Sequence, residues 1–325
     1  MLSSVMSMSG ISKFSASDLR KQLSGKNARV NVGVGTYQHA IEGTAALKDA
    51  ETMFQLMYLN FTAPRFSEDD FATLMKRYDA MLANQLTNPD FVFGQQLMKT
   101  LYSDNYRRQQ LTPEILSSVK LERMQDIHSQ LYGNAKGFRF TIYGNMSPEE
   151  LKPLVEKYIG SLPTAKKAGN VYTDDKVRPV KGGVTNDFRV KMQQPKVSVY
   201  LIFNGAIEDN AKNRLVLDLL TRALDSRYMV SIREEKGGTY GVHVQGGINE
   251  YPVEQYMAII VFDTNEQLAD ELIDICDAEI AKIAENGPLA DDIAKSKEFL
   301  QKNYANVLEN NSGWMSAIER WYEEG

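Results

Sequence analysis

Residues 233–243, Arg-Glu-Glu-Lys-Gly-Gly-Thr-Tyr-Gly-Val-His, place a guanidinium, a phenol and an imidazole around a pair of glycines. A guanidinium can clamp a carbonyl or carboxylate through its planar fork of donors, and a phenol hydroxyl can donate to a developing oxyanion. A plainer account fits the same pattern. Arg233 to Lys236 is a charged helix end of the kind that faces solvent, Gly237-Gly238 is an ordinary helix C-cap, and a strand tyrosine packs more often than it reacts. The chain holds three histidines, His39, His128 and His243. A catalytic zinc site takes three protein ligands, and H-x-x-E-H is one spacing that supplies two of them. No two of these histidines stand at that spacing, so they read as surface or packing residues and no metal site is expected in this chain.

Other candidates are weaker. Gly33-Val-Gly35 lacks a third spaced glycine and a lysine, which argues against a nucleotide loop. The serines from Ser9 to Ser17 have no positioned His and Asp, which argues against a hydrolase triad. The single cysteine, Cys276, rules out an intrachain disulfide. It sits in an amphipathic helical pattern and reads as a small buried hydrophobe. Met53, Leu56, Met57 and Met75 read as core. A net charge of −5 and a pI near 5.5 argue against a nucleic-acid binder. No apolar run approaches the ~18 residues of a membrane span. MLSSVMSMSGISKF has neither an early basic residue nor a long apolar stretch, so it does not read as a signal peptide. The compartment stays open: periplasm or cell envelope if a parent protein carries an export signal, otherwise cytoplasm.

These residues must be positioned by a chain of 325 residues, long enough for two domains. Residues 1–163 form one block and 185–325 a second. Residues 164–184, rich in Lys, Gly, Asp and Pro, read as a linker. In the first block, strands are expected at Arg29 to Tyr37, at the following His39 to Ala46, and at Phe138 to Asn145. Helices are expected after Ser15, over Asp49 to Asn60, from Ser67 to about Leu86, over about Phe93 to Tyr102, from Thr112 to Tyr132, and after Ser147. In the second block, strands are expected near Asp187 to Met192, Lys196 to Phe203, Tyr240 to Ile248 and Gln255 to Phe262. Helices are expected over Ala211 to Glu235, Asn265 to Glu285, Ala290 to Val307 and from Gly313. Val30 to Ala83 and Val242 to Leu308 share the order strand, turn, strand, long helix, break, acidic cap, long helix. The fold class is α+β: two similar domains, each an antiparallel sheet with helices on one face.

The segments KFSASDLRKQLSGKNARVNVGV, FTAPRFSEDDFATLMKRYDAMLANQLTNP, FTIYGNMSPEELKPLVEKYIGSLP, REEKGGTYGVHV and NGPLADDIAKSKEFLQKN resemble the pitrilysin/insulinase-type zinc peptidases, above all their long bacterial members. The resemblance covers nearly the whole chain, and Arg-Glu-x-x-Gly-Gly-Thr-Tyr-Gly-Val is its most specific piece. It implies a clamshell of two halves, each of two α+β domains. Zinc belongs to the first domain, and an Arg and a Tyr of the last domain act on substrate. On this resemblance the chain is a half-clamshell from the C-terminal side. Residues 1–163 match a third domain without its first strands, and 185–325 a fourth domain without its final helices, so truncation at both ends is expected. Trp314 and Trp321 would then lie on a core face left uncovered.

By resemblance, Tyr240 is the transition-state oxyanion donor and Arg233 the substrate clamp. Gly237, Gly238 and Thr239 form the substrate-binding turn, His243 is a further cleft residue, and the strand edge after Tyr240 pairs with an extended peptide. The implied function is the substrate-binding half of a zinc endopeptidase acting on peptides, inactive alone. Its implied partners are a peptide substrate and the N-terminal half of the same protein or a partner subunit, which would carry the zinc. The alternative is a non-catalytic scaffold or partner subunit related to the same peptidases.

Overall fold

The computed structural model describes residues 1–167 and 173–324. Part of the span read as a linker, 168–172, lies outside the described residues. The chain divides into two compact units, Met1–Asp175 and Lys176–Gly325. No helix among the described residues is long and apolar enough to cross a membrane.

The first unit begins with α1 (Leu2–Ser9), α2 (Ala16–Gln22), the antiparallel strands β1 (Ala28–Val34) and β2 (His39–Ala45), and α3 (Ala50–Thr62). It continues with α4 (Glu68–Gln85), α5 (Pro89–Leu101), α6 (Pro113–Ser118), α7 (Leu121–Tyr132) and α8 (Pro148–Leu154). Side-chain caps set the helix starts. Ser15, Ser67 and Asn88 accept from backbone N–H groups of α2, α4 and α5, and Ser147 with Glu150 forms a reciprocal capping box on α8. The core gathers Val5, Val32, Phe61, Leu74, Met124 and Tyr132. Tyr132 is fully buried, and its hydroxyl donates to the Gly33 carbonyl at 2.8 Å, tying α7 to the hairpin. Burial pushes that phenol up to about 12.

The second unit contains β3 (Val197–Ala206), α9 (Ala211–Tyr228), β4 (Val242–Asn249), β5 (Gln255–Thr264), α10 (Ala269–Asn286), α11 (Ala290–Leu308) and α12 (Asn311–Glu324). Its antiparallel sheet has the order β3-β5-β4. Phe262 pairs with Val199 on one side and Val242 on the other, and Ile260 with Leu201 and Val244. These two rows pack with Leu224, Tyr228 and Ile232 from the helix side and with Leu272 and Cys276 of α10. Full burial of such a side chain contributes about 1.5–3 kcal/mol. The next row, Tyr200, Val261 and His243, falls on the opposite face by strand alternation. The orders β1-β2-α3-α4 and β4-β5-α10-α11 match one another, as the sequence pattern predicts.

Several expectations are corrected. Phe138 to Asn145 and Asp187 to Met192 are not strands. Phe138 and Phe140 do turn toward the core, but neither segment is a strand of either sheet among the described residues. Thr112 to Tyr132 is two helices, separated where Val119 and Lys120 adopt extended backbone. The segment over Leu2–Ser9, which carried no element in the sequence reading, is a helix whose Val5 is fully buried.

Glu279 of α10 ties that helix to α9. It is 3% exposed and accepts from Arg227 Nε at 3.2 Å and Lys282 Nζ at 2.8 Å. Burial works to raise its carboxyl, but the hydrogen bonds and charges of Lys282 and Arg227 outweigh that and hold it below the usual carboxylate range. A carboxyl lowered by folding stabilises the fold above its unfolded value of about 4.3, and that contribution is lost as pH falls through the lower folded value. Glu279→Gln is therefore expected to cost about 1–3 kcal/mol at pH 7, with the cost shrinking below about pH 4. Amide exchange of α9 and α10 at pH 6 and pH 3 checks this, and an equal cost at both contradicts it.

Candidate functional site

Beyond Tyr228, α9 continues as a wider π turn over Met229–Glu234, in which the Glu235 N–H donates to the Val230 carbonyl at 3.0 Å. Ser231 donates its hydroxyl back to the Arg227 carbonyl at 3.0 Å, a local bond that competes with the regular helical pattern. The widened turn puts Ile232 fully into the core and leaves Arg233 exposed. Upstream, the buried Tyr228 hydroxyl donates to the Cys276 carbonyl at 3.0 Å and fastens α9 to α10. Burial pushes the Tyr228 phenol and the Cys276 thiol up, the thiol to about 12, so Cys276 is an inert packing residue.

The glycine turn is anchored on both sides. Gly237 sits at φ 62°, the left-handed region, and its N–H donates to the Arg233 carbonyl at 3.1 Å. Lys236 beside it pairs with Glu271. A Cβ on Gly238 would come within 2.8 Å of the Leu268 Cδ1 and 3.3 Å of the Leu272 Cδ1, so a larger residue there displaces those two side-chain ends, while glycine leaves them packed on the backbone. The Thr264 hydroxyl then donates to the Gly238 carbonyl at 2.7 Å. Thr239 closes the turn: its Oγ1 accepts from the Gly241 N–H at 3.3 Å and donates to the Gly241 carbonyl at 3.0 Å.

Because Thr239 occupies the Gly241 backbone, the ladder starts only at Val242. Tyr240 therefore lies before the strand and not within it, which corrects the expected strand start at Tyr240. It is 100% exposed. Arg233 stands on the other side of the turn with Nη1 3.2 Å from Met229 Sδ, a weak acceptor, and makes no ion pair among the described residues. His243 is exposed on β4, its ring 3.8 Å from where a Gly241 Cβ would stand. Arg233, Gly237, Gly238, Thr239 and Tyr240 thus form one continuous surface loop, with His243 just beyond it. The Val244 N–H is held by the Asp225 carboxylate at 3.1 Å, so the peptide pairing expected along β4 meets an occupied donor there.

The remaining histidines pack. His128 is 2% exposed, with Nε2 2.8 Å from the Asn60 carbonyl. His39 lies edge-on to Tyr132 and Phe138 at 5.2 and 5.3 Å. Burial pushes both imidazoles below their usual range, against the opposing pull of a backbone hydrogen bond in each case. His39 and His128 stand in the first unit and His243 in the second. No group of three His, Cys, Asp or Glu among the described residues is placed to hold a metal ion. These residues do not fit a peptidase zinc site.

The sequence reading missed a polar cleft of about 600 Å³ in the second unit, formed by α9, α11 and residues 244–246 of β4. Asp225 and Asp292 line it. Only the burial of a carboxylate in the first turn of α11 marks it, and residue spacing does not reveal that.

Residues 118–300 match the family described as "Peptidase M16 inactive domain". The chain is 22% identical to a "Zinc protease PQQL-like" protein of Arabidopsis thaliana, over 98% of this chain and 34% of that protein. It therefore spans about a third of that relative's length. The structure of the periplasmic protease PqqL from Escherichia coli superposes with a TM-score of 0.83 at 19% identity, covering 98% of this chain and 35% of that one. A peptidase M16 inactive domain from Pseudomonas fluorescens gives 0.69 at 18% identity, covering 93% of this chain and 73% of that one.

Gly237→Ala forces an L side chain into the left-handed region and is expected to cost about 1–2 kcal/mol, felt chiefly in the turn. Faster amide exchange at Gly238 and Gly241, with α9 and α10 still protected, is the expected result. Unchanged exchange there would show that the turn does not depend on Gly237.

Proposed function

This chain belongs to the peptidase M16 inactive-domain family, and from that premise we propose that it is the peptide-holding, non-zinc part of a two-half endopeptidase. The observation that carries this reading is the anchored turn that holds Tyr240 wholly in solvent beside an Arg233 engaged only with a thioether. Full exposure of a large aromatic ring from an otherwise tightly held loop suits a contact residue better than a core residue. The Tyr240 hydroxyl donates to the oxyanion that forms when a peptide carbonyl is attacked. Arg233 holds a neighbouring carbonyl or carboxylate of the peptide through its donor fork. Thr239 and the two glycines set the loop, and His243 borders it.

In this proposal residues 1–163 act as a third-domain-like block and 185–325 as a fourth-domain-like block, joined by 164–184. The zinc ion and its ligands belong to a different polypeptide segment, the N-terminal half of a parent protein or a partner subunit, so the chain by itself is inactive. The Escherichia coli relative is described as periplasmic. A periplasmic or cell-envelope place for this protein fits a chain whose one cysteine is buried and needs no disulfide.

The test is peptidase activity of this chain alone and mixed with a segment carrying the zinc motif. Activity is expected only in the mixture. Tyr240→Phe is expected to lower turnover about 10²–10³-fold, the usual cost of one oxyanion donor, while thermal unfolding stays unchanged because the ring is exposed. An active mixture that is indifferent to Tyr240→Phe removes Tyr240 from the chemistry. A mixture that binds but never cleaves supports a scaffold instead.

A further inference from the structure

We propose that the cavity beside β1 in the first unit binds an extended acidic peptide segment, which adds to β1 as a further strand. The cavity is about 860 Å³, within the usual range of ligand clefts, and is formed by α1, α2, α3, α4 and β1. Five consecutive residues of β1, Ala28 to Val32, line it, so it runs along the strand.

The ladder leaves that edge of β1 open. The Gly35 N–H donates to the Gln38 carbonyl and the Ala46 N–H to the Asn27 carbonyl, both at 2.8 Å, just beyond the two ends of the β1–β2 pairing. Bonded and non-bonded pairs alternate in an antiparallel ladder. Arg29, Asn31 and Gly33 therefore turn their backbone groups to β2, and Ala28, Val30 and Val32 turn theirs away from it. No hydrogen bond to those outward groups forms among the described residues. The second unit treats the matching edge differently. There the outward N–H of Val244 on β4 is held by Asp225 of α9 at 3.1 Å. α1, which packs on β1 as α9 packs on β4, contains no Asp or Glu. An open strand edge offers a row of main-chain donors and acceptors, which an extended peptide matches.

The side chains select an acidic occupant. Arg29 and Arg77 line the cavity and no Asp or Glu does, in a chain whose net charge is −5. Both arginines are exposed, so a ligand reaches them from solvent. Arg29 gives its Nε to Thr44 Oγ1 at 2.9 Å, which leaves its two terminal nitrogens for a carboxylate. Arg77 makes no ion pair or hydrogen bond among the described residues. Of the nearby acids, Asp18 stands 3.9 Å from Lys21, and Glu42, paired with Asn31 across the ladder, is outside the lining. Met8, Met81, Leu19 and Leu23 add apolar surface that can adapt to a side chain. Arg29 and Val30 point to opposite faces of β1, so an added strand meets cation on one face and apolar surface on the other. Alternating acidic and apolar residues suit that arrangement.

The site goes beyond the Tyr240 reading and does not rest on it. The test titrates the full chain with acetyl-Val-Glu-Val-Glu-Val-amide, read from the amide resonances of Ala28, Val30 and Val32. Saturable shifts are expected. Acetyl-Val-Lys-Val-Lys-Val-amide should bind about tenfold more weakly or worse, and Arg77→Met should weaken the glutamate peptide about tenfold without lowering the melting temperature. The glutamate peptide N-methylated at its glutamates, or separately at its valines, should lose binding in the form that blocks the edge facing β1. No saturable response to the glutamate peptide overturns the proposal. Equal affinity for the glutamate and lysine peptides overturns the acidic assignment, and indifference to both N-methylated forms overturns strand addition. Loss of this response with Tyr240-dependent turnover intact rejects this site alone, and the converse rejects only the Tyr240 reading.

Discussion

The close approach of Gly238 to α10 is the constraint on which the rest of the second unit depends. The side-chain ends of Leu268 and Leu272 pack where a Cβ on Gly238 would stand, and Thr264 at the end of β5 holds the Gly238 carbonyl. This fixes where the chain leaves α9 and where it enters the sheet. Every residue of the candidate site is then placed by its offset from Gly238. Arg233 lies five residues before it, at the end of a π turn. Tyr240 lies two after it, outside the strand, because Thr239 has already used the Gly241 backbone. A fully exposed tyrosine on a loop held this firmly keeps a defined position at little entropic cost on binding.

Behind that turn, two buried attachments hold α9 to α10. Tyr228 supplies a neutral hydrogen bond to the Cys276 carbonyl, and Glu279 supplies a charged one through Arg227. The first survives any pH at which the fold survives, whereas the second weakens in acid. Both lie within the same helix pair that the sheet rows Val199-Phe262-Val242 and Leu201-Ile260-Val244 cover. The helix end carrying Arg233 is therefore braced by the core and by α10 together.

Much of this was legible in the sequence. Ser15, Ser67 and Ser147 announced their helices because a capping oxygen acts locally, within three residues. Both hairpins and the glycine turn were legible for the same reason. What failed required distant partners. Phe138 to Asn145 alternates like a strand, but a strand is made by its neighbour. The helix over Leu2–Ser9 has no charged face to reveal its period. The π turn coincides with one serine bonding backward, and a threonine hydroxyl holds the Gly241 backbone just after Tyr240. The family resemblance rested on such local pieces, and the match to the M16 inactive domain agrees with it. That Asp225 and Asp292 line one cleft was invisible because α9 and α11, which carry them, come together only in the fold.

The central claim is that the Gly237–Gly241 turn is where this chain touches a peptide. The most direct measurement places the photocrosslinker p-benzoylphenylalanine at position 240 in the full chain. It is illuminated with an unfolded peptide, and position 304, another exposed tyrosine on α11, serves as the control. The account predicts saturable peptide adducts at position 240, reduced by Arg233→Met, and only background at 304. Equal labelling at the two positions, or none at 240, would contradict it.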